Sequence, residues 1–98
     1  MDVIRDPDRV ELKHLLQQAD FAGAKVLELG CGDGRLTWQY GELAGEVYGI
    51  DPDLASLRSA ADARPETLQT NLIFVLSEAE TLPFANNAFA VAIMAWSL

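Results

Sequence analysis

Val26-Leu27-Glu28-Leu29-Gly30-Cys31-Gly32-Asp33-Gly34 is an apolar run, interrupted by one acid, that breaks into three glycines spaced one residue apart. Val26, Leu27 and Leu29 suit a buried parallel strand. Glycines at 30, 32 and 34 let the backbone take positive φ and approach a ligand closely. A helical pattern follows at once through Leu36, Tyr40 and Leu43. Strand, glycine turn and helix N-terminus together form a nucleotide-cradling unit, in which ligands sit at the carboxyl ends of the strands.

Upstream, Asp6-Pro7 followed by Val10, Leu12, Leu15 and Leu16 predicts a helix with proline in its first turn, ending near Asp20 or Gly23. Downstream, the pattern predicts a first strand over 25–29, a helix over 35–44 and a second strand over 46–50 that ends at Asp51. Pro52 opens a helix with Leu54, Leu57 and Ala61 on one face, and Ala63-Arg64-Pro65 stops it. A third strand follows over 72–76. After a loop holding Leu82-Pro83-Phe84 and the turn signal Asn86-Asn87, a fourth runs over 89–94.

The 98 residues fit one small domain, half of it hydrophobic, with no room for a second. Fifteen acids against seven bases give a formal charge of −8, which lacks the basic footprint of a nucleic-acid or anionic-membrane binder. Cys31 is the only cysteine, so no intrachain disulfide forms, and the opening Met1-Asp2-Val3-Ile4-Arg5-Asp6 has neither the basic nor the apolar part of a secretion signal. The expectation is a cytoplasmic chain. The apolar run from Phe89 to Trp96 is too short to span a bilayer.

A dinucleotide fingerprint needs its third glycine where this chain has Arg35. Here the third glycine is Gly34, and Glu28-x-Gly30-x-Gly32-x-Gly34 resembles motif I of class I S-adenosylmethionine-dependent methyltransferases. Val47-Tyr48-Gly49-Ile50-Asp51 resembles the second motif of that family. Ala79-Glu80-Thr81-Leu82-Pro83-Phe84, after the third strand, resembles the form found in its small-molecule members. The resemblance implies an α/β fold with a Rossmann-like, doubly wound parallel sheet in the order 3-2-1-4, truncated after the fourth strand, with an N-terminal helix. Residues 1–98 would then be one partial domain: a helical segment over 1–23 and a βαβαββ cofactor-binding half over 24–98.

A carboxylate at a strand end, such as Asp51, accepts hydrogen bonds from both ribose hydroxyls of a nucleoside. The acids Glu28, Asp33, Asp51 and Glu78 suit the sulfonium and ammonium of S-adenosylmethionine better than a pyrophosphate. By resemblance, the backbone of Gly30 and Gly32 lines the methionine part, Cys31 and Gly34 count among the cofactor-binding residues, and Glu28 orders the loop or meets the ammonium through water. Asp51, with Pro52 beside it, holds the ribose. Glu78 receives the adenine amino group, and the Ala79 N–H faces the ring. Ala95 and Trp96 face the methyl end. Ser77 and Ala90 depart from the family, which has glycine and aspartate there. No metal is implied and no general base is evident, so the expected chemistry is in-line methyl displacement onto a small acceptor.

Plainer roles stand beside these. The glycines could form only a tight turn, Asp51 could cap the helix after Pro52, and Glu78 could be a solvated loop acid. Cys31 has no partner base, His14 reads as a surface residue, and Trp38 and Tyr40 read as packing on the sheet or partly exposed. The family's sheet continues beyond a fourth strand, so this sequence is expected to bind cofactor without turnover, with the fourth strand an apolar edge open to a second copy. An assembly module using that edge and, more remotely, a piece of a nicotinamide-dependent oxidoreductase are the alternatives.

Overall fold

A computed structural model describes residues 2–5, 16–17, 19–78 and 88–94. In chain order the elements are β1 (Asp2–Arg5), β2 (Lys25–Leu29), α1 (Thr37–Tyr40), β3 (Glu46–Asp51), α2 (Leu54–Ala63), a 3₁₀ turn (Glu66–Leu68), β4 (Leu72–Leu76) and β5 (Val91–Met94). They form one sheet in the order β1-β5-β2-β3-β4, with every pairing parallel. The expected order 3-2-1-4 is present as β4-β3-β2-β5. It carries one further strand.

That strand is β1, which precedes the helix expected from Asp6-Pro7 and which the helical segment over 1–23 did not include. Asp2, Val3, Ile4 and Arg5 pair in register with Val91, Ala92, Ile93 and Met94. Ile4 is 2% exposed and joins the core, whereas Val3 is 45% exposed, the alternation of a strand with one face inward. Leu16 and Gln17 are helical, residues 19–23 run as bend and turn rather than helix, and the remainder of the predicted first helix, 6–15 and 18, lies outside the described residues. The expected open edge on the fourth strand is corrected too, because β5 lies between β1 and β2.

The period-two alternation of β2 divides the core. Val26 joins Ile4, Phe21, Tyr40, Val47, Leu72 and Ile93 in one buried cluster, while Leu27 and Leu29 join Ile50, Phe89 and Ala92 in a second. Glu28 sits on the Val26 face.

The helices are shorter or turned differently from the sequence pattern. α1 keeps only four residues of the expected 35–44, since Gly41 follows it and the chain continues as turns. In α2 the buried residues are Leu57 and Ala60, with Leu54 45% exposed and Ala61 also exposed, so the inward face differs from the predicted Leu54, Leu57 and Ala61. Its first residue is Leu54 because Asp53, in extended backbone, supplies the cap: its side chain accepts from Ala55 N at 3.2 Å and from Ser56 Oγ at 2.7 Å. Pro52 therefore precedes the helix. The fourth predicted strand begins at Val91, Ala90 N donating to Lys25 O at 2.9 Å just before it.

Candidate cofactor-binding site

The site is built where β2, β3 and β4 end side by side. Gly30 N and Cys31 N both donate to Ile50 O, at 2.7 and 3.1 Å, and Ser77 N donates to Asp51 O at 3.2 Å. Gly32 N donates to Asp51 Oδ2 at 2.9 Å. Three strand exits are thereby stitched into one rim, at the end of a parallel sheet where α/β folds bind their ligands.

The loop takes its shape from positive φ at Gly30 (78°), Gly32 (55°) and Gly34 (88°), a region that side chains strain to enter. The glycines face different surroundings. Among the described residues, a methyl added at Gly32 would meet no atom within 4 Å, whereas one at Gly34 would fall 2.4 Å from the Trp38 ring. Gly32 opens on free space; Gly34 admits the indole that packs over it. Between them, Asp33 Oδ1 accepts from Arg35 N at 3.3 Å and turns the chain toward α1.

Asp51 is 9% exposed at the rim. Its Oδ2 accepts from Gly32 N, and its Oδ1 accepts from Asp53 N at 2.8 Å. Each oxygen retains a lone pair. Because Asp53 caps α2, the alternative that Asp51 serves as that cap is corrected. Pro52 is exposed beside it, and Glu78 is exposed on the chain leaving β4, where Ser77 Oγ donates to Glu78 O at 3.2 Å. Ala79, Ala95, Trp96 and the Leu82-Pro83-Phe84 segment lie outside the described residues.

Glu28 lies beneath the rim, with no exposed surface. Its Oε1 accepts from Thr37 Oγ1 at 2.7 Å and from Tyr40 Oη at 2.6 Å, while Oε2 has no partner among the described residues. Burial raises its pKa from 4.5 to about 7, against the opposing pull of the two hydroxyls. The Cys31 thiol is also held well above its ordinary range, first by burial and then by the negative charges of Glu28 and Asp51. Such a thiol is a poor nucleophile, in keeping with a packing role. The sequence reading took Tyr40 as packing or partly exposed and did not single out Thr37, whereas both are buried hydroxyl donors to Glu28. The available signal was an acid inside an apolar strand, which needs buried donors, followed by two hydroxyls three residues apart on the next helix.

These features fit S-adenosylmethionine. Gly32 fronts an open space, Asp51 presents aligned acceptors at its lip, and the surrounding acids suit a cationic ligand.

Residues 26–98 match the model of a family described as a methyltransferase domain. The chain belongs to this family. With the methyltransferase domain goes the cofactor expected from the sequence, S-adenosylmethionine. Among curated relatives, a demethylmenaquinone methyltransferase of Lactococcus lactis is 29% identical over 89 residues, covering 88% of this chain and 35% of that protein. A ubiquinone biosynthesis O-methyltransferase of Nitrosococcus oceani is 35% identical over 57 residues, covering 58% and 24%. Among solved structures, an S-adenosylmethionine-dependent methyltransferase from Mesorhizobium loti superposes with a TM-score of 0.66 at 26% identity, over 83% of this chain and 35% of that one. The methyltransferase domain described here thus spans about a third or less of the length of these relatives.

Proposed function

We propose that the rim formed by residues 30–34, Asp51 and Glu78 binds S-adenosylmethionine and that the protein to which this domain belongs transfers the methyl group to a small-molecule acceptor. The observation that carries this reading is the Asp51 carboxylate, aimed by two backbone donors and left with free lone pairs beside the open space at Gly32. In this role Asp51 accepts from the ribose hydroxyls, with Pro52 flanking it. Gly30, Cys31 and Gly32 offer backbone to the methionine part, and Glu78 takes the adenine amino group. Ala79, Ala95 and Trp96 are assigned to the same cofactor by family resemblance alone.

S-Adenosylmethionine supplies a methyl group already activated on a sulfonium, so the chain's task is to orient and exclude water rather than to form a covalent bond. A small acceptor is favoured by the quinone-related names of the two curated relatives and by the Leu82-Pro83-Phe84 type of sequence.

Isothermal titration with S-adenosylhomocysteine tests the cofactor site. The folded chain is expected to bind, and Asp51→Ala to lose affinity by about ten-fold or more, the magnitude of one or two hydrogen bonds to a charged acceptor. No heat from the folded wild type would overturn the reading.

A further inference from the structure

We propose that Thr37 and Tyr40 are positioning residues for cofactor binding: by jointly holding Glu28, they set the glycine loop in its binding shape before the ligand arrives. This rests on the reading of residues 30–34 as the cofactor loop. Glu28 belongs to the strand that enters the loop, two residues before Gly30, and Thr37 and Tyr40 belong to the helix that leaves it. One carboxylate oxygen receives both hydroxyls, at 2.7 and 2.6 Å, so the two ends of the loop are tied together at a single buried atom.

The tie matters because of what lies between its ends. Three positive-φ glycines leave the loop with large conformational freedom when it is not held, and a ligand that must order it binds more weakly in proportion to the ordered fraction. Ile50 O and Asp51 Oδ2 anchor the start and middle of the loop to β3, and at its end Gly34 N donates to Cys31 O and Trp38 N to Gly34 O, bonds local to the loop and α1. Among the described residues, the hydrogen bonds that span from β2 to α1 beyond Gly34 are those of the Glu28 clamp.

The clamp is also sensitive to small changes. Glu28 has no exposed surface, and its Oε2 has no partner among the described residues. Loss of either hydroxyl therefore leaves a buried carboxylate still less satisfied, where solvent cannot compensate. Tyr40 is itself fully buried, with its ring 5.2 Å from that of Phe21, so Tyr40→Phe removes the donor and preserves the packing.

Two measurements on Tyr40→Phe, Thr37→Val and Thr37→Ser decide the matter. The first is amide hydrogen exchange in the ligand-free protein at Gly30, Cys31, Gly32 and Gly34, read against Val47, whose N–H donates to Asn71 O in the sheet. The second is the Kd for S-adenosylhomocysteine by calorimetry, well below the unfolding temperature. Tyr40→Phe and Thr37→Val are expected to speed loop exchange about ten-fold relative to Val47 and to weaken binding by a similar factor. Thr37→Ser, which keeps the hydroxyl, should match wild type in both.

Loop and sheet amides speeding up together would mean that the hydroxyls serve global stability, and would overturn the proposal. So would an unchanged Kd in folded Tyr40→Phe while wild type binds. If wild type itself does not bind S-adenosylhomocysteine, the cofactor reading fails first and takes the positioning role with it.

Discussion

Glu28 carries two consequences that can be measured separately. Its ordinary pKa of 4.5 rises to about 7 in the folded chain, so between these values the native state holds more protons than the unfolded state. Stability from this group therefore falls as pH rises through that window and levels off above about 7. The other titratable groups against it, Tyr40 and Cys31, are both pushed upward and do not titrate there. Glu28→Gln keeps a carbonyl acceptor for Thr37 and Tyr40 and removes the titration. Relative to wild type, the Gln variant should gain about 3 kcal/mol between pH 4.5 and pH 8, read from denaturant midpoints across pH. A constant difference would contradict the buried acid. Gly32 and Gly34 separate in the same way: Gly32→Ala should leave unfolding within about 2 kcal/mol of wild type, the cost of positive φ alone, yet weaken S-adenosylhomocysteine binding. Gly34→Ala must displace the Trp38 ring and should lower stability further. The glycines, Asp51 and the acid at 28 could be singled out as a candidate site from the sequence because their chemistry is local to a strand end, and the structure brings them together there. Which glycine faces open space and which meets the indole was not legible, since Trp38 is brought over Gly34 by the turn between them.

At the scale of elements, α2 shows how one cap leaves a neighbouring carboxylate free of capping. Asp53 holds the helix N-terminus through Ala55 N and Ser56 Oγ, leaving the Asp51 carboxylate to Gly32 and Asp53 backbone donors. Asp53→Ala should cost about 1 kcal/mol of stability by thermal unfolding, a typical loss for an aspartate cap. Calorimetry on the same variant should show weaker cofactor binding, because the backbone that orients Asp51 frays with the helix. The order strand, helix, strand was readable from apolar patterning and glycines. The inward face of α2 was not, since Leu54 and Leu57 look alike in sequence and only docking on the sheet selects Leu57 with Ala60.

Across the whole molecule, β1 links the two ends of the described chain. Ile4 is buried among Val91, Ile93 and Phe21, while its strand pairs along the full length of β5. Ile4→Ala should cost about 2–5 kcal/mol, and hydrogen exchange at Ala92 and Ile93 should rise with it, whereas exchange in β4 at the opposite edge follows only global unfolding. Equal acceleration at both edges would mean that β1 is no separate local unit. Among the described residues, no helix is long and apolar enough to cross a membrane.

The parallel sheet, its central strand order, the methyltransferase family and the rim residues could all be inferred from the chain alone. They depend on patterns of a few neighbouring residues: apolar strands, a glycine loop, an acid at a strand end. Pairing of Asp2–Arg5 with Val91–Met94, burial of Glu28 under two hydroxyls and the different surroundings of Gly32 and Gly34 came only from the tertiary structure. Each joins groups from different elements, and their proximity exists only once the sheet and its helices have packed.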